Sequence, residues 1–345
     1  MTVAKVTPPR VAIIGAGLAG LTCATALKGF ADVQVFEKSV FVGGRISRYQ
    51  FGEYRFNHGE QYFTVSNPLF LNIVDAWQDS GLVRAWDGWI VELDHGQVTN
   101  LDNNTQRYTG YPHMQAISDN LAHGCQVKLS TSIAEIEKQE NGQWHLFDER
   151  GGYQGLYDIV IIATAAYQVS DLAKSTPTIA RQAEKIDMTI CWSAMFVFER
   201  SLNLPFDAAF VLNSPLSWIS RFQGVEDDPH HPDHECWVIH SSPEWSLQYA
   251  ASFRGRVMHA LLDAFFEACD MPSQKPVSSN VHCWKHALPI NTLDQDCLFD
   301  ESAAIGACGD WCTSPRIEGA VLSGFSMADR IMKYIRKTQH GGVDQ

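Results

Sequence analysis

Short apolar runs closed by glycine or small polar residues alternate along this chain with stretches of helical period. Val11–Ile14 and the apolar heart of Tyr157–Thr164 lack polar alternation, which predicts strands buried on both faces, as in a parallel sheet. Val33–Phe36, Gln126–Ser130, Gln143–Phe147 and Ala303–Gly309 predict further strands of the same lobe, and Leu18–Lys28 predicts a helix directly after the first strand. The middle of the chain reads differently. Ser193–Phe198, Ala208–Leu212, Ser217–Phe222 and Cys236–His240 are short β-rich runs separated by turn residues. Arg256–Cys269 then carries Val257, Leu261, Phe265 and Ala268 at the spacing of one helical face. Residues 69–110, with Trp77, Trp86 and Trp89, are expected to add helices and a hairpin to this second lobe. The fold class is α/β, with a second, mainly antiparallel sheet.

The first strand ends in Gly15, Gly17 and Gly20, with Leu18 and Ala19 opening the helix between them. Glycines at this spacing let a pyrophosphate approach the backbone and sit on the helix N-terminus, where N–H groups and the dipole favour anions. Glu37, followed by Lys38, ends the next strand at the distance from which a carboxylate accepts hydrogen bonds from an adenosine ribose. Together they predict a Rossmann-type dinucleotide site. Arg45, preceded by Gly43 and Gly44, offers a donor fork for a phosphate. Gly-Gly-Arg at this place resembles flavoproteins of the amine oxidase superfamily.

At the far end, Gly309-Asp310 closes a buried strand and is followed by Glu318, Gly319 and Ala320. Taken alone, Gly-Asp is equally a turn. In flavoproteins of this kind the Asp accepts a hydrogen bond from a ribityl hydroxyl, and the small residues let the next helix start close to the ring. The expected cofactor is therefore non-covalent FAD. Val127, Ala163 and Thr164 are further expected contacts, at the ends of their strands. The FAD-binding domain is expected to be discontinuous, at 1–68, 111–168 and 285–345, with a substrate domain inserted at 69–110 and 169–284.

Composition narrows the setting. With 345 residues, 45% of them hydrophobic, the chain is long enough for two cores. No secretory leader or membrane-spanning run is read, and Met332–His340 is expected to be a solvated helix end. The nine cysteines, odd in number and without metal-ligand spacing, suggest reduced thiols in a cytoplasm, with Cys308 and Cys312 packed rather than redox-active. A net charge of −13 argues against a nucleic-acid partner. The acidic, histidine-bearing stretch Glu226–His234, which includes His230 and His231, is expected to be a solvated loop rather than a metal site.

A narrower resemblance rests on the segments Asn57–Thr64, Ser214–Trp218, Cys236–Ser246, His282–Pro289 and Cys308–Ala320. In order and spacing these resemble bacterial renalases. The resemblance places His58, Gly59, Glu60, Gln61 and Tyr62 beside the flavin. It implies oxidation of isomeric dihydronicotinamides, the 2- and 6-dihydro forms of NAD(P), with oxygen as the final acceptor. Asn57 stands where the family carries Asp, and Glu60 where it carries Ala. No catalytic dyad is evident, nor is the lysine-bearing segment of monoamine oxidases. Candidate pocket residues are Trp192, Trp218, Trp245 and Trp284 as walls for a planar ring, with Arg221, His240, Lys285 and His286 as polar contacts. An amine or other small-molecule oxidase or desaturase, and a flavin-binding module without turnover, stay open as alternatives.

Overall fold

The computed structural model describes residues 7–101, 105–222 and 234–340. The N-terminal apolar run forms the strand Arg10–Ile14, at the centre of a six-stranded sheet. Across the sheet the strands run 126–128, 32–36, 10–14, 159–162, 305–307 and 298–300. All pairings are parallel except the last, which is antiparallel. Arg10–Ile14 has one neighbour close in sequence and one distant, so the connections part at its C-terminal end. Such a switch point is where open α/β sheets hold ligands.

Alternation along this strand explains both layers. Val11 and Ile13 share a core with Leu21 and Ala24 of the helix Leu18–Ala26 and with Ile331 and Ile335 of the helix Ile317–His340. Ala12 and Ile14 point the other way, into a core with Trp144, Leu146, Val169 and Ile179. That second layer comprises an antiparallel meander, Ile133–Lys138, Trp144–Asp148 and Tyr153–Tyr157, and the helices Ala166–Leu172 and Pro177–Ala183. The first helix stops at Ala26, two residues short of the expected Lys28, with Leu27 as its C-cap before Gly29 turns the chain at φ +83°.

The second large sheet has seven strands in the order 278–284, 191–198, 235–241, 216–222, 208–211, 90–94 and 97–100. It is antiparallel except where Ala208–Val211 meets Ile90–Leu93 in parallel. The helix Arg254–Ala268 covers one face, burying Val257, Leu261, Phe265 and Ala268 against it as the period predicts. The other face packs Met195, Val197 and Val238 against Phe56 of the hairpin formed by Arg48–Phe51 and Tyr54–Asn57. Of residues 69–110, only the hairpin 90–100 joins this sheet. The helix Pro68–Asp79 packs Phe70, Val74 and Trp77 with Leu18, Ile117, Ile317 and Val321.

Candidate functional site

Of the three glycines of the first turn, the fold requires two. Gly15 lies at φ +107°, and a Cβ there would meet the Ala163 carbonyl oxygen at 2.5 Å. A Cβ at Gly20 would collide with the Gly15 carbonyl. Gly17 is unlike either: its φ of −79° suits any residue, and a Cβ would meet nothing within 4 Å. It is the N-cap of the helix Leu18–Ala26, with no side-chain cap and no acid in the first turn. Open space over an uncapped helix N-terminus is a cradle for a phosphate.

The walls of the cradle are the other expected cofactor residues. Glu37 is buried and accepts the amides of Ala16 and Ser39, each at 2.8 Å, so it holds the turn in place. Beside it, the Glu37 amide donates to the Lys128 carbonyl at 3.0 Å, which brings the strand of Val127 alongside, while Lys38 is exposed. Ala163 donates its amide to Ile14, and the buried Thr164 hydroxyl has no partner among the described residues. The Gly43 amide donates to the Ala16 carbonyl at 2.8 Å and, with Gly44, seats Arg45 next to the turn.

Arg45 and Asp310, 265 positions apart, meet in a two-pronged ion pair at 2.8 and 2.6 Å. Arg45 also donates to the Ala287 carbonyl at 2.9 Å. Burial opposes the guanidinium's charge, but Asp310 outweighs it and holds Arg45 above its ordinary range, with Glu60 adding to the effect. Glu318 is turned elsewhere. It accepts the amides of Ser66 and Asn67 at 2.7 and 2.9 Å and the Ser66 hydroxyl at 2.6 Å, pinning the loop before Pro68 to the long C-terminal helix. A Cβ at Gly319 would strike the Ser314 carbonyl, so that glycine serves the entry of the helix, and Ala320 packs beside it between the two cores.

The second sheet reads the segment 57–61 with one transverse row of side chains. His282, Ser193, His240 and Trp218 are cross-strand neighbours on adjacent strands. Ser193 Oγ at 2.7 Å and His240 Nε2 at 3.0 Å donate to the carbonyl of His58, and Trp284 Nε1 donates to it at 3.3 Å. His282 meets the His58 ring edge-on at 4.9 Å, and Trp284 stacks on it at 4.6 Å. Burial, then the neighbouring His282 and His240, push His58 down to about 3, so it is neutral. At the end of the row the Trp218 indole donates to Gln61 Oε1 at 2.7 Å. A carbonyl only accepts, so the His240 proton is on Nε2 and Nδ1 is left as an acceptor. Burial keeps His240 neutral, against the pull of that hydrogen bond.

Between this row and the Arg45 segment lies a cavity of about 490 Å³, bounded by Arg45, Glu60, Tyr62, Trp218, His240 and Trp284. That volume suits a small planar molecule. Burial raises the Glu60 carboxyl, opposed by Arg45 and reinforced by Asp310. Cys191 also lines the cavity, but burial pushes its thiol up to about 12, which removes it as a nucleophile.

Five expected pocket residues do not line the cavity. Trp192 precedes Ser193 and so faces the opposite side of the sheet, in the core beneath the helix Arg254–Ala268. Trp245 stacks on Tyr249 at 4.0 Å against that same core. Arg221 donates to the carbonyls of Leu204 and Phe206 and lies over the Trp237 ring, a structural role. Lys285 is exposed, and His286 stacks on Tyr167 at 4.4 Å, outside the cavity. Missed altogether were Ser193, Cys191 and Arg316, the last at the cavity's rim. Cys308 and Cys312 are buried and unbridged, and all nine cysteines are free. The Glu226–His234 stretch falls outside the described residues except for His234, and among the described residues no His, Cys, Asp and Glu cluster suits a metal. No helix among them is long and apolar enough to cross a membrane.

A family model described as an NAD(P)-binding Rossmann-like domain matches residues 13–77. Among solved structures, the chain superposes on a protein assigned as a protoporphyrinogen oxidase from Exiguobacterium sp. 255-15, with TM-score 0.75 and 12% identity over 94% of this chain and 99% of that one. Cyclohexylamine oxidase from Brevibacterium oxydans IH-35A gives TM-score 0.73 and 14% identity over 95% and 100%. Putrescine oxidase with bound putrescine gives 0.69 and 13% over 94% and 99%. The architecture is the amine oxidase fold. At such identities the likeness extends to the fold alone.

Proposed function

We propose that this chain is an oxidase with non-covalent FAD that oxidises isomeric dihydronicotinamides, the 2- and 6-dihydro forms of NAD(P), to the ordinary oxidised dinucleotides. The observation that carries the reading is the cavity, which starts at Arg45 beside the uncapped helix and continues between Trp218 and Trp284. The N-terminus of the helix Leu18–Ala26 would hold the pyrophosphate, Glu37 the ribose, and Arg45 with Asp310 the ring end. Bound FAD supplies a two-electron acceptor that oxygen regenerates, giving hydrogen peroxide. The chain's own contribution is positioning and exclusion of water. Trp218 is fixed by Gln61 and Trp284 by the His58 carbonyl, so two aromatic walls are already in place for a flat ring. A dihydropyridine releases hydride with the help of its own nitrogen electrons and needs no strong base, in keeping with a neutral His240 and a protonated Cys191.

Acid or heat should release yellow FAD from the purified protein. Under anaerobic conditions a 2- or 6-dihydro isomer should bleach it within seconds, whereas 4-dihydro NADH, with its reactive carbon displaced, should act about a hundredfold more slowly. Fast bleaching by NADH, or none by the isomers, would overturn the assignment. An amine oxidase is the second reading, favoured by the Glu60 carboxylate in the cavity, and bleaching by benzylamine but not by the isomers would select it.

A further inference from the structure

We propose that Glu60 makes this cavity a selector for nitrogen compounds that carry a positive charge, or acquire one on losing hydride. The inference rests on reading the cavity as the substrate site of a flavin oxidase. Its grounds are geometric. Glu60 lines the cavity, and among the described residues its carboxylate has no hydrogen-bond or ion-pair partner. The nearest cation, Arg45, already spans both oxygens of Asp310. Arg45 and Asp310 offset each other, so the Glu60 charge faces a space walled by Tyr62, Trp218 and Trp284, with Arg316 exposed at its rim. A lone carboxylate among aromatic faces is a receptor for a flat cation, because the rings and the carboxylate attract it together.

The chemistry of the proposed substrate uses such a charge. Were hydride to leave a ring carbon of a dihydropyridine, the C–H electron pair would depart with the hydrogen to an acceptor, the chemistry a bound flavin would supply. The nitrogen lone pair closes into the ring as C=N, and the ring becomes a cation. A carboxylate that attracts the cation and not the neutral reactant stabilises the transition state selectively. An amine cation meets the same carboxylate. The groups facing Glu60 are Arg45, Asp310, Tyr62, Cys191, His240 and, at the rim, Arg316. Burial raises the Glu60 carboxyl, so cation binding should be complete above its raised range and fade as the pH falls through it.

The test titrates the flavin-loaded protein with 1-methylnicotinamide, a cation, and with neutral nicotinamide, following tryptophan fluorescence and the flavin spectrum. The wild type should prefer the cation by about tenfold, or ~1.4 kcal/mol. Glu60→Gln should erase the preference, chiefly by weakening binding of the cation, and lowering the pH should erase it in the wild type without any substitution. Equal binding of both ligands by the wild type, or a preference that survives in Glu60→Gln and at low pH, would overturn the proposal. A Glu60-dependent preference without bleaching by the dihydronicotinamide isomers would uphold the selector and remove the proposed substrate. Bleaching by the isomers that is equally fast in Glu60→Gln would do the reverse.

Discussion

Replacing Gly17 by alanine separates what the fold needs from what a ligand needs. The backbone there is at φ −79° and ψ −179°, open to every residue, and the new methyl would touch nothing within 4 Å. Fewer unfolded conformations would stabilise the variant by about 0.4–1 kcal/mol. Loss of glycine at an N-cap, where alanine is poorer, would cost about as much. The chain should therefore melt within a degree or two of the wild type. Its cradle would nevertheless be filled, because a methyl would stand where the proposed reading brings a pyrophosphate to the helix N–H groups. Losing one or two hydrogen bonds to a charged group, each worth about 1.5–3 kcal/mol, lowers affinity roughly a hundredfold. Calorimetric titration of the flavin-free protein with FAD, beside thermal melts, measures both quantities. Gly20→Ala is the control: its methyl meets the Gly15 carbonyl, so that variant should lose stability. Wild-type FAD affinity in Gly17→Ala would refute the cradle, and a collapsed melting temperature would refute the description of the turn.

Three further outcomes are expected. In a double-mutant cycle without FAD, Arg45→Met and Asp310→Asn should show a coupling of about 2 kcal/mol in denaturant unfolding, at the lower end for a buried pair because Arg45 keeps 32% of its side chain exposed; additive effects would mean the pair contributes nothing. Burial opposes ionisation of Glu318, but its bonds to Ser66 and Asn67 outweigh it and hold the carboxyl below its ordinary range. Its stabilisation is therefore full at neutral pH and lost as the pH falls through that lowered range, so Glu318→Gln should cost about 1–3 kcal/mol at pH 7 and flatten the acid limb of stability against pH; an unchanged acid limb would contradict this. Trp192→Phe should lower the melting temperature with ligand binding intact, and Trp218→Phe should weaken binding of a planar ring with little change in melting; the opposite pattern would exchange their assigned faces.

Those two tryptophans show what was legible in the chain. Buried strands and the glycine turn could be read because their signals are local: four apolar residues in a row, or a glycine spacing that only close approach requires. Alternation also says that Trp192 and Ser193 face opposite ways. It does not say which one faces the nucleotide layers, because that depends on how the seven-stranded sheet lies against a loop far away in sequence. The register shift between Leu216 and Trp218 further obscures the facing of the strand Leu216–Phe222. The motif points Glu318 towards a flavin, and nothing near it in sequence reveals Ser66 and Asn67 as partners, 252 and 251 positions away. The motifs mark both residues of the ion pair, Arg45 and Asp310, but each as a separate cofactor contact.

Four consecutive residues link the docking of the lobes to the chemistry of the cavity. The His58 carbonyl receives Ser193, His240 and Trp284 from three adjacent strands, so one oxygen ties three strands of the second sheet to this segment. Gly59 lets the chain pass against the Arg45 carbonyl, where a side chain would also press on Trp284 at 3.3 Å. The Glu60 amide donates to that same Arg45 carbonyl at 3.2 Å, while its carboxylate turns to the cavity. Gln61 then braces Trp218 through its side-chain oxygen and the local backbone through its nitrogen, which donates to Asn57 and Gly59 carbonyls. A shift of this segment would move the charge, both aromatic walls and the Arg45–Asp310 pair together. The cavity is thus positioned by the same contacts that hold the second sheet to the segment 58–61, and a substitution at Gly59 should disturb cofactor retention and ring binding as one event.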